Sequence, residues 1–357
     1  MQQGRREEEV LAAIERRRRR PHVKLMDERI TLAHGAGGKA THALVETIFV
    51  RHLSTPEADA AVVSPVSGRL AVTTDGYVVT PPFFPGGDIG ELALNGTVND
   101  LAMAGARPLF VAAGFIVEEG LLTTELERAV RSMAEAARGA GVQVVAGDTK
   151  VVERGRADGL YVTTTGVGVV EHDLDLGPAA MRAGDRVLVS GPIGDHGMAI
   201  MVARGGLELE AELESDTAAL HELVAVLLAA VGPRLRCLRD PTRGGVATVL
   251  NELALAAELA IAVHESAVPV RPEVTGACEI LGIDPLYVAN EGKLVAVVAP
   301  EAEEAALAAL RSHPLGKEAA VIGELRGDPP GMVLLETGFG GSRVVDMLAG
   351  DPLPRIC

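Results

Sequence analysis

Residues 183–197 read AGDRVLVSGPIGDHG. The run Val187-Leu188-Val189 is short, apolar and β-branched at both ends. Ser190-Gly191-Pro192 breaks it, and a new segment opens after Gly194. A strand that turns tightly into a helix is the unit from which α/β domains are assembled. The pattern continues downstream, with helices expected around 217–231 and 244–259, strands at 260–264 and 293–299, and a helix at 301–312. Upstream, LAVTT at 70–74 reads as a strand ending at Asp75-Gly76, and 90–105 as a helix rich in small residues. A second helix is expected over 121–139, with Leu126, Val130, Met133 and Ala137 on one face. VQVVA at 142–146 reads as a strand ending in Gly147-Asp148-Thr149-Lys150, and 160–170 as another strand. No solenoid period is present. The expectation is an α/β (α+β) protein of two α/β domains in series. They would comprise a charged extension over 1–26, a first domain over 27–175, a second over 176–346 and a flexible tail over 347–357.

The bulk composition excludes several classes. A chain of 357 residues has room for two cores, and 48% hydrophobic with 23% charged residues is ordinary for a globular protein. The net charge of −16 repels polyanions at long range, and with no Trp and 3% aromatics there is little to stack on bases. Neither nucleic acid nor membrane is expected as a partner. No apolar run is long enough to cross a bilayer, and the charged N-terminus lacks a signal peptide's apolar region. Cys237, Cys278 and Cys357 are too few and too scattered for a disulfide framework or a cysteine zinc site, which points to a reducing cytoplasm. An acidic protein still binds ATP where Mg²⁺ and backbone N–H groups meet the phosphates.

The acids are the informative residues. Asp75 (TTDGY), Asp100 (TVNDLA), Asp148 (GDTK) and Asp240 (RDPTRGG) each sit near an expected element boundary. One such Asp is usually turn or cap chemistry. Four of them, with Asn99, Thr149 and Lys150 beside them, fit a site in which hard oxygen ligands hold Mg²⁺ on a nucleotide. HGAGGK at 34–39 supplies Gly35, Gly37 and Gly38, whose N–H groups suit phosphates, although the spacing is not that of a Walker loop. Gly244-Gly245 stand at an expected helix start behind Arg243, a second place for phosphate. Glu291 lies in ANEGK (289–293), just before a strand, and His196 in GDHG reads as a structural loop histidine.

The chain ends PLPRIC. Two prolines keep these residues out of helices and sheet interiors, so the thiol of Cys357 stands at the end of a mobile arm. A thiolate on such an arm suits a carried group.

Together HGAGG, TTDGYVV, GTVNDLAMAGA, GDTKVV, SGPIGDHG, DPTRGGV, NEGK and the terminal PRIC resemble the HypE family of hydrogenase maturation factors. That family lies in the superfamily of aminoimidazole ribonucleotide synthetase and selenophosphate synthetase. The resemblance runs from about residue 27 to the end and leaves the extension out. It implies that Cys357 accepts a carbamoyl group from the carbamoyltransferase HypF. ATP with Mg²⁺ then drives dehydration of the S-carboxamide to a thiocyanate. The cyanide passes to iron on a HypC–HypD scaffold for the [NiFe] hydrogenase centre. It also implies a homodimer in which the first domain's sheet pairs across the interface. On this reading Asp75, Asp100, Asp148 and Asp240 hold the metal, and Lys150 neutralises the phosphoryl group. Glu291 acts as base, and Gly35 to Gly38, Asn99, Thr149, Arg243, Gly244 and Gly245 bind the nucleotide. A selenophosphate synthetase would carry Cys or selenocysteine in the glycine-rich region, where AHGAGGKA has neither. A non-catalytic scaffold would not need its acids and Lys150 intact.

Overall fold

The computed structural model describes residues 25–54, 60–64, 66–205, 213–348, 350 and 355–357. The expected extension over 1–26, apart from its last two residues, and tail residues 349 and 351–354 lie outside the described residues.

The first domain begins with α1 (Lys39–Leu44), continued by a π-helical turn over Val45–Val50. Then come β1 (Arg69–Tyr77), the small hairpin β2 (Phe83–Phe84) and β3 (Gly87–Asp88), α2 (Ile89–Met103), β4 (Arg107–Glu118), α3 (Thr123–Gly139), β5 (Gln143–Val152) and β6 (Leu160–Val170). The sheet runs β1-β6-β4-β5, with only the β4–β5 pair parallel. Asp88 caps α2 by accepting from the N–H groups of Gly90 and Glu91 at 2.8 and 3.2 Å. The Ser132 hydroxyl of α3 donates to the same carboxylate, which ties the two helices together. Both helices cover one face of the sheet. On the other face Leu70 and Val72 of β1 are 60% and 66% exposed.

Two strands are longer than the sequence reading. β1 runs through Asp75-Gly76 to Tyr77 because β6 pairs with every residue of it. β5 runs through Asp148, Thr149 and Lys150 to Val152 because β4 supports it. These acids therefore stand within strands, not in loops. β4 was not anticipated at all. Pro108 and the small run Ala112-Ala113-Gly114 hide its β pattern.

The second domain contains β7 (Arg186–Val189), α4 (Asp195–Ala203), α5 (His221–Val231), β8 (Leu235–Arg239), α6 (Gly245–Ala257), β9 (Ala260–His264), α7 (Pro272–Leu281), β10 (Val295–Val298), α8 (Glu303–Ser312), β11 (Ala320–Arg326), β12 (Val333–Glu336) and β13 (Ser342–Val345). Residues 183–197 form the strand, turn and helix read from them. The sheet order is β13-β12-β9-β11-β7-β10-β8. One face packs on Val246, Leu250 and Leu253 of α6, the other on Leu223 and Leu227 of α5 and Leu310 of α8. The sheets change between residues 170 and 186, yet the cores interlock. Met198, Ala199 and Ile200 of α4 share one cluster with Leu92, Phe115 and Met133 of the first domain. Among the described residues no helix is long and apolar enough to cross a membrane.

Candidate functional site

Between the two domains lies a cavity of about 250 Å³, lined by Asp75, Gly76, Tyr77, Gly96, Asp100, Asp240, Thr242, Arg243, Glu291 and Cys357. A larger pocket of about 500 Å³ adjoins it and shares Asp100, Asp240, Thr242 and Arg243. Strand alternation explains the first wall. On β1, residues 73, 75 and 77 face α2, while 70, 72 and 74 face away. Asp75 and Tyr77 therefore enter the cavity, and the Thr73 hydroxyl donates to Asp100 Oδ2 at 2.6 Å. Asp100 sits in the last turn of α2, Asp240 follows β8, and Glu291 precedes β10. Gly96 on α2 leaves room for Tyr77: a Cβ there would stand 2.2 Å from the phenol oxygen.

Four acids in so small a space repel one another. Burial, then the charge of neighbouring Asp100, pushes Asp75 up to about 6. Burial and Asp100 push Asp240 up to about 7. Burial, followed by the charges of Asp240 and Asp216, holds Glu291 well above the usual carboxylate range. The Cys357 thiol hydrogen-bonds the Glu291 carboxyl, while the buried Oε1 of Glu291 finds no partner among the described residues. Burial pushes the other two thiols, Cys237 and Cys278, up to about 11, so neither is a neutral-pH nucleophile.

The last three residues are docked. Ile356 is 4% exposed and joins the first core cluster. They run antiparallel to residues 78–80, with the Val78 N–H donating to the Cys357 carboxylate at 3.3 Å and the Thr80 N–H to the Arg355 carbonyl at 3.2 Å. The thiol thus lies in the cavity of its own subunit.

The loop that carries Glu291 is rigidly held. Its N–H donates to Asp216 Oδ1 at 2.9 Å, and Lys293 Nζ pairs with Asp216 Oδ2 at 2.8 Å. Asn99, expected to touch the nucleotide, is engaged here instead. It is buried, donates to the carbonyls of Ala218 and Glu291 at 3.0 and 3.2 Å, and accepts from the Leu220 N–H at 2.8 Å. With both donors and its acceptor used, it clamps the two domains. Asn99→Ala is expected to lower stability by about 3 kcal/mol, because buried partners lose their bonds. Urea unfolding would measure this as a lower midpoint.

Other expected site residues stand elsewhere. Asp75, Thr164 on β6, Ala113 on β4 and Gly147 on β5 form one row across the sheet. Asp148 therefore lies about three strand spacings, or about 14 Å, from the cavity. It is exposed and pairs with Lys150 at 2.7 Å, with Thr149 between them. The loop with Gly35, Gly37 and Gly38 is on the same edge, and a Cβ at Gly35 would stand 2.9 Å from Val151 Cβ. Gly244 and Gly245 have φ of 74° and 64°, and a Cβ at Gly245 would stand 2.5 Å from the Leu286 carbonyl. Packing requires that glycine, and the Gly245 N–H already serves the Thr242 carbonyl. Sequence reasoning missed Tyr77, Thr73, Asp216 and Lys293. Lys293 carried a local signal, two residues beyond Glu291 in NEGK, and so did Thr73 and Tyr77, two residues either side of Asp75 in TTDGY, whereas Asp216 carried none.

Among the described residues no three acid, histidine or cysteine side chains form a preset metal cage. The fit to Mg²⁺ rests on hard oxygen donors, Asp75, Asp100 and Asp240, whose mutual repulsion a divalent cation would relieve.

The chain matches the AIR synthase related protein family, its N-terminal domain over residues 57–170 and its C-terminal domain over 182–334. It is 54% identical to the carbamoyl dehydratase HypE of Rhizobium leguminosarum bv. viciae, over 92% of this chain and 95% of that one. With the same-named protein of Escherichia coli (strain K12) it shares 47% identity over 92% and 99%. The chain belongs to the HypE family. A crystal structure of HypE in complex with ATP superposes with a TM-score of 0.87 at 48% identity, covering 91% of this chain and 99% of that one. HypE in a HypE–HypF complex does so with 0.76 at 48% identity, over 78% and 90%. The match to HypE extends over both domains, so the interdomain cavity lies in the shared part of the fold.

Proposed function

We infer that this chain is an ATP-dependent carbamoyl dehydratase of [NiFe] hydrogenase maturation, converting an S-carboxamide on Cys357 into a thiocyanate that supplies cyanide to the hydrogenase iron. The observation that carries this reading is the terminal thiol seated against Glu291 in a cavity that also holds three aspartates. Removing oxygen from an amide needs a better leaving group than oxide. The carboxamide oxygen takes the terminal phosphoryl group of ATP, ADP departs, and phosphate then carries the oxygen away as the C≡N bond forms. Atoms balance as the loss of one water from the carboxamide, with ATP going to ADP and phosphate.

The chain's residues divide the work. Glu291, one of whose oxygens has no partner among the described residues, takes the N–H proton once it has lost its own, a loss that a cation held by Asp75 and Asp240 would favour. Arg243 faces the developing negative charge from the loop before α6. Asp75, Asp100 and Asp240 would hold Mg²⁺, which when bound neutralises phosphate charge. HypF fits as the carbamoyl donor enzyme, HypC–HypD as the cyanide acceptor complex and the cytoplasm as the compartment.

A homodimer accounts for the remaining residues. Leu70 and Val72 lie exposed on a sheet face that leaves them bare among the described residues, as an interface between two such sheets requires. Pairing there offers Asp148, Thr149, Lys150 and the Gly35–Gly38 loop of one copy to the cavity of the other.

The test is the mass of the C-terminal peptide after carbamoylation by HypF with carbamoyl phosphate. A carbamoyl adduct on Cys357 that loses one water only when Mg–ATP is added supports the reading. An adduct indifferent to ATP sinks it. The metal assignment has its own expected result. Mg–ATP should raise the melting temperature of the protein by several degrees, while Asp240→Asn should be at least as stable without ligand and gain less from Mg–ATP.

A further inference from the structure

The described tail is held by specific bonds, which raises the question of what holds it. His196, on the first turn of α4, is fully buried. Its Nε2 lies 2.9 Å from the Ile356 carbonyl, and its Nδ1 lies 2.8 Å from the Ser215 hydroxyl. A carbonyl only accepts, so Nε2 carries the proton, and the neutral ring leaves Nδ1 to accept from Ser215. The Phe84 ring meets the imidazole edge-on at 5.7 Å and fixes its plane. Arg204, at the other end of α4, spans two carbonyls, with Nε on Thr80 at 2.6 Å and Nη2 on Arg355. The next residue after Ser215 is Asp216, which holds the Glu291 N–H. One short segment, Ser215-Asp216, therefore braces both the histidine on the tail and the loop of the proposed base.

We propose that His196 and Arg204 are positioning residues that latch the tail by its last two internal carbonyls and so register the Cys357 thiol against Glu291. Both bonds go to main-chain carbonyls. The latch therefore takes no account of what the thiol carries, and it serves the free thiol, the carboxamide and the thiocyanate alike. Exchange with a partner enzyme requires these bonds to break, since Cys357 at its docked position is half-buried against the cavity lining. The proposal deepens the dehydratase reading and rests on it for the role of Glu291, but the seating of the tail is measurable without any turnover.

The experiment follows the rate at which a maleimide alkylates Cys357 in the full chain, read by mass of the C-terminal peptide. Cys237 and Cys278 are buried and serve as internal controls for global unfolding. His196→Ala and Arg204→Ala are each expected to speed alkylation of Cys357 by about tenfold, roughly the worth of one hydrogen bond. Neither should speed alkylation of the control thiols. His196→Gln, which can still donate to a carbonyl, should restore part of the protection. In single-turnover dehydration of carbamoylated protein, His196→Ala should lower the rate while leaving the affinity for ATP unchanged. Unchanged alkylation of Cys357 in both alanine variants would overturn the latch whatever the fate of the dehydratase reading. Faster alkylation with a normal dehydration rate would overturn its role in registering the thiol. If His196→Ala does not fold, Arg204→Ala, with its partly exposed site, decides the matter alone.

Discussion

Cys357→Ala protein is expected to bind ATP within about twofold of the unaltered protein and to form no thiocyanate at all, however much HypF and carbamoyl phosphate are supplied. The substitution removes one sulfur from the cavity and leaves the seated main chain of the tail intact. Ile356 stays in its core, and the carbonyls of Arg355 and Ile356 keep their partners. The phosphate-facing groups, Arg243 and the aspartates, are untouched. What disappears is the thiol that lines the cavity; Cys237, beside the adjoining pocket, and Cys278 are buried with their thiols pushed up to about 11. Equilibrium binding of ATP and intact mass after incubation give the two halves of the result. Thiocyanate formed without Cys357 would move the chemistry to another residue and end the present reading.

Glu291→Gln is expected to slow dehydration of carbamoylated protein by a hundredfold or more, within the usual range for loss of a general base. Gln keeps the shape of the side chain and removes its ability to accept a proton. The same change should not weaken the fold. Burial holds the Glu291 carboxyl well above its ordinary value, so the native state retains a proton that the unfolded chain releases. Native stability in the metal-free protein therefore falls as the pH rises above the ordinary carboxylate value, until the shifted value is passed. Gln carries no such penalty, so its advantage in urea should grow from pH 5 to pH 8. A variant that dehydrates at the normal rate would place the base elsewhere.

Much of the architecture could be read from the chain because each segment declares its own periodicity. Val187–Val189, Ala260–His264 and the apolar face of α3 are local patterns, and local patterns survive folding. The strand ends misled because Asp75-Gly76 and Gly147-Asp148 look like turns when their pairing partners are unseen. β4 was missed because its central residues are small, which is a property of packing and not of strand propensity. In the site, acids near glycine were a sound guide to Asp75, Asp100 and Asp240. They could not separate these from Asp148, since the distance between β1 and β5 is set by the order of strands in the sheet. Asn99 beside Asp100 points about 100° away around α2, and only tertiary contacts show that it clamps the Glu291 loop. His196 gave no local sign of its partner because Ile356 lies 160 residues further on.

The buried position of Ile356 has a consequence for the traffic of the thiol. Its side chain is 4% exposed and belongs to the first core cluster, so the tail leaves the cavity only by drawing an isoleucine out into water. Exposing that side chain costs about 2 kcal/mol, comparable to the hydrogen bonds on the carbonyls beside it. An enzyme that draws the tail out therefore has to shelter a greasy side chain as well as reach the sulfur.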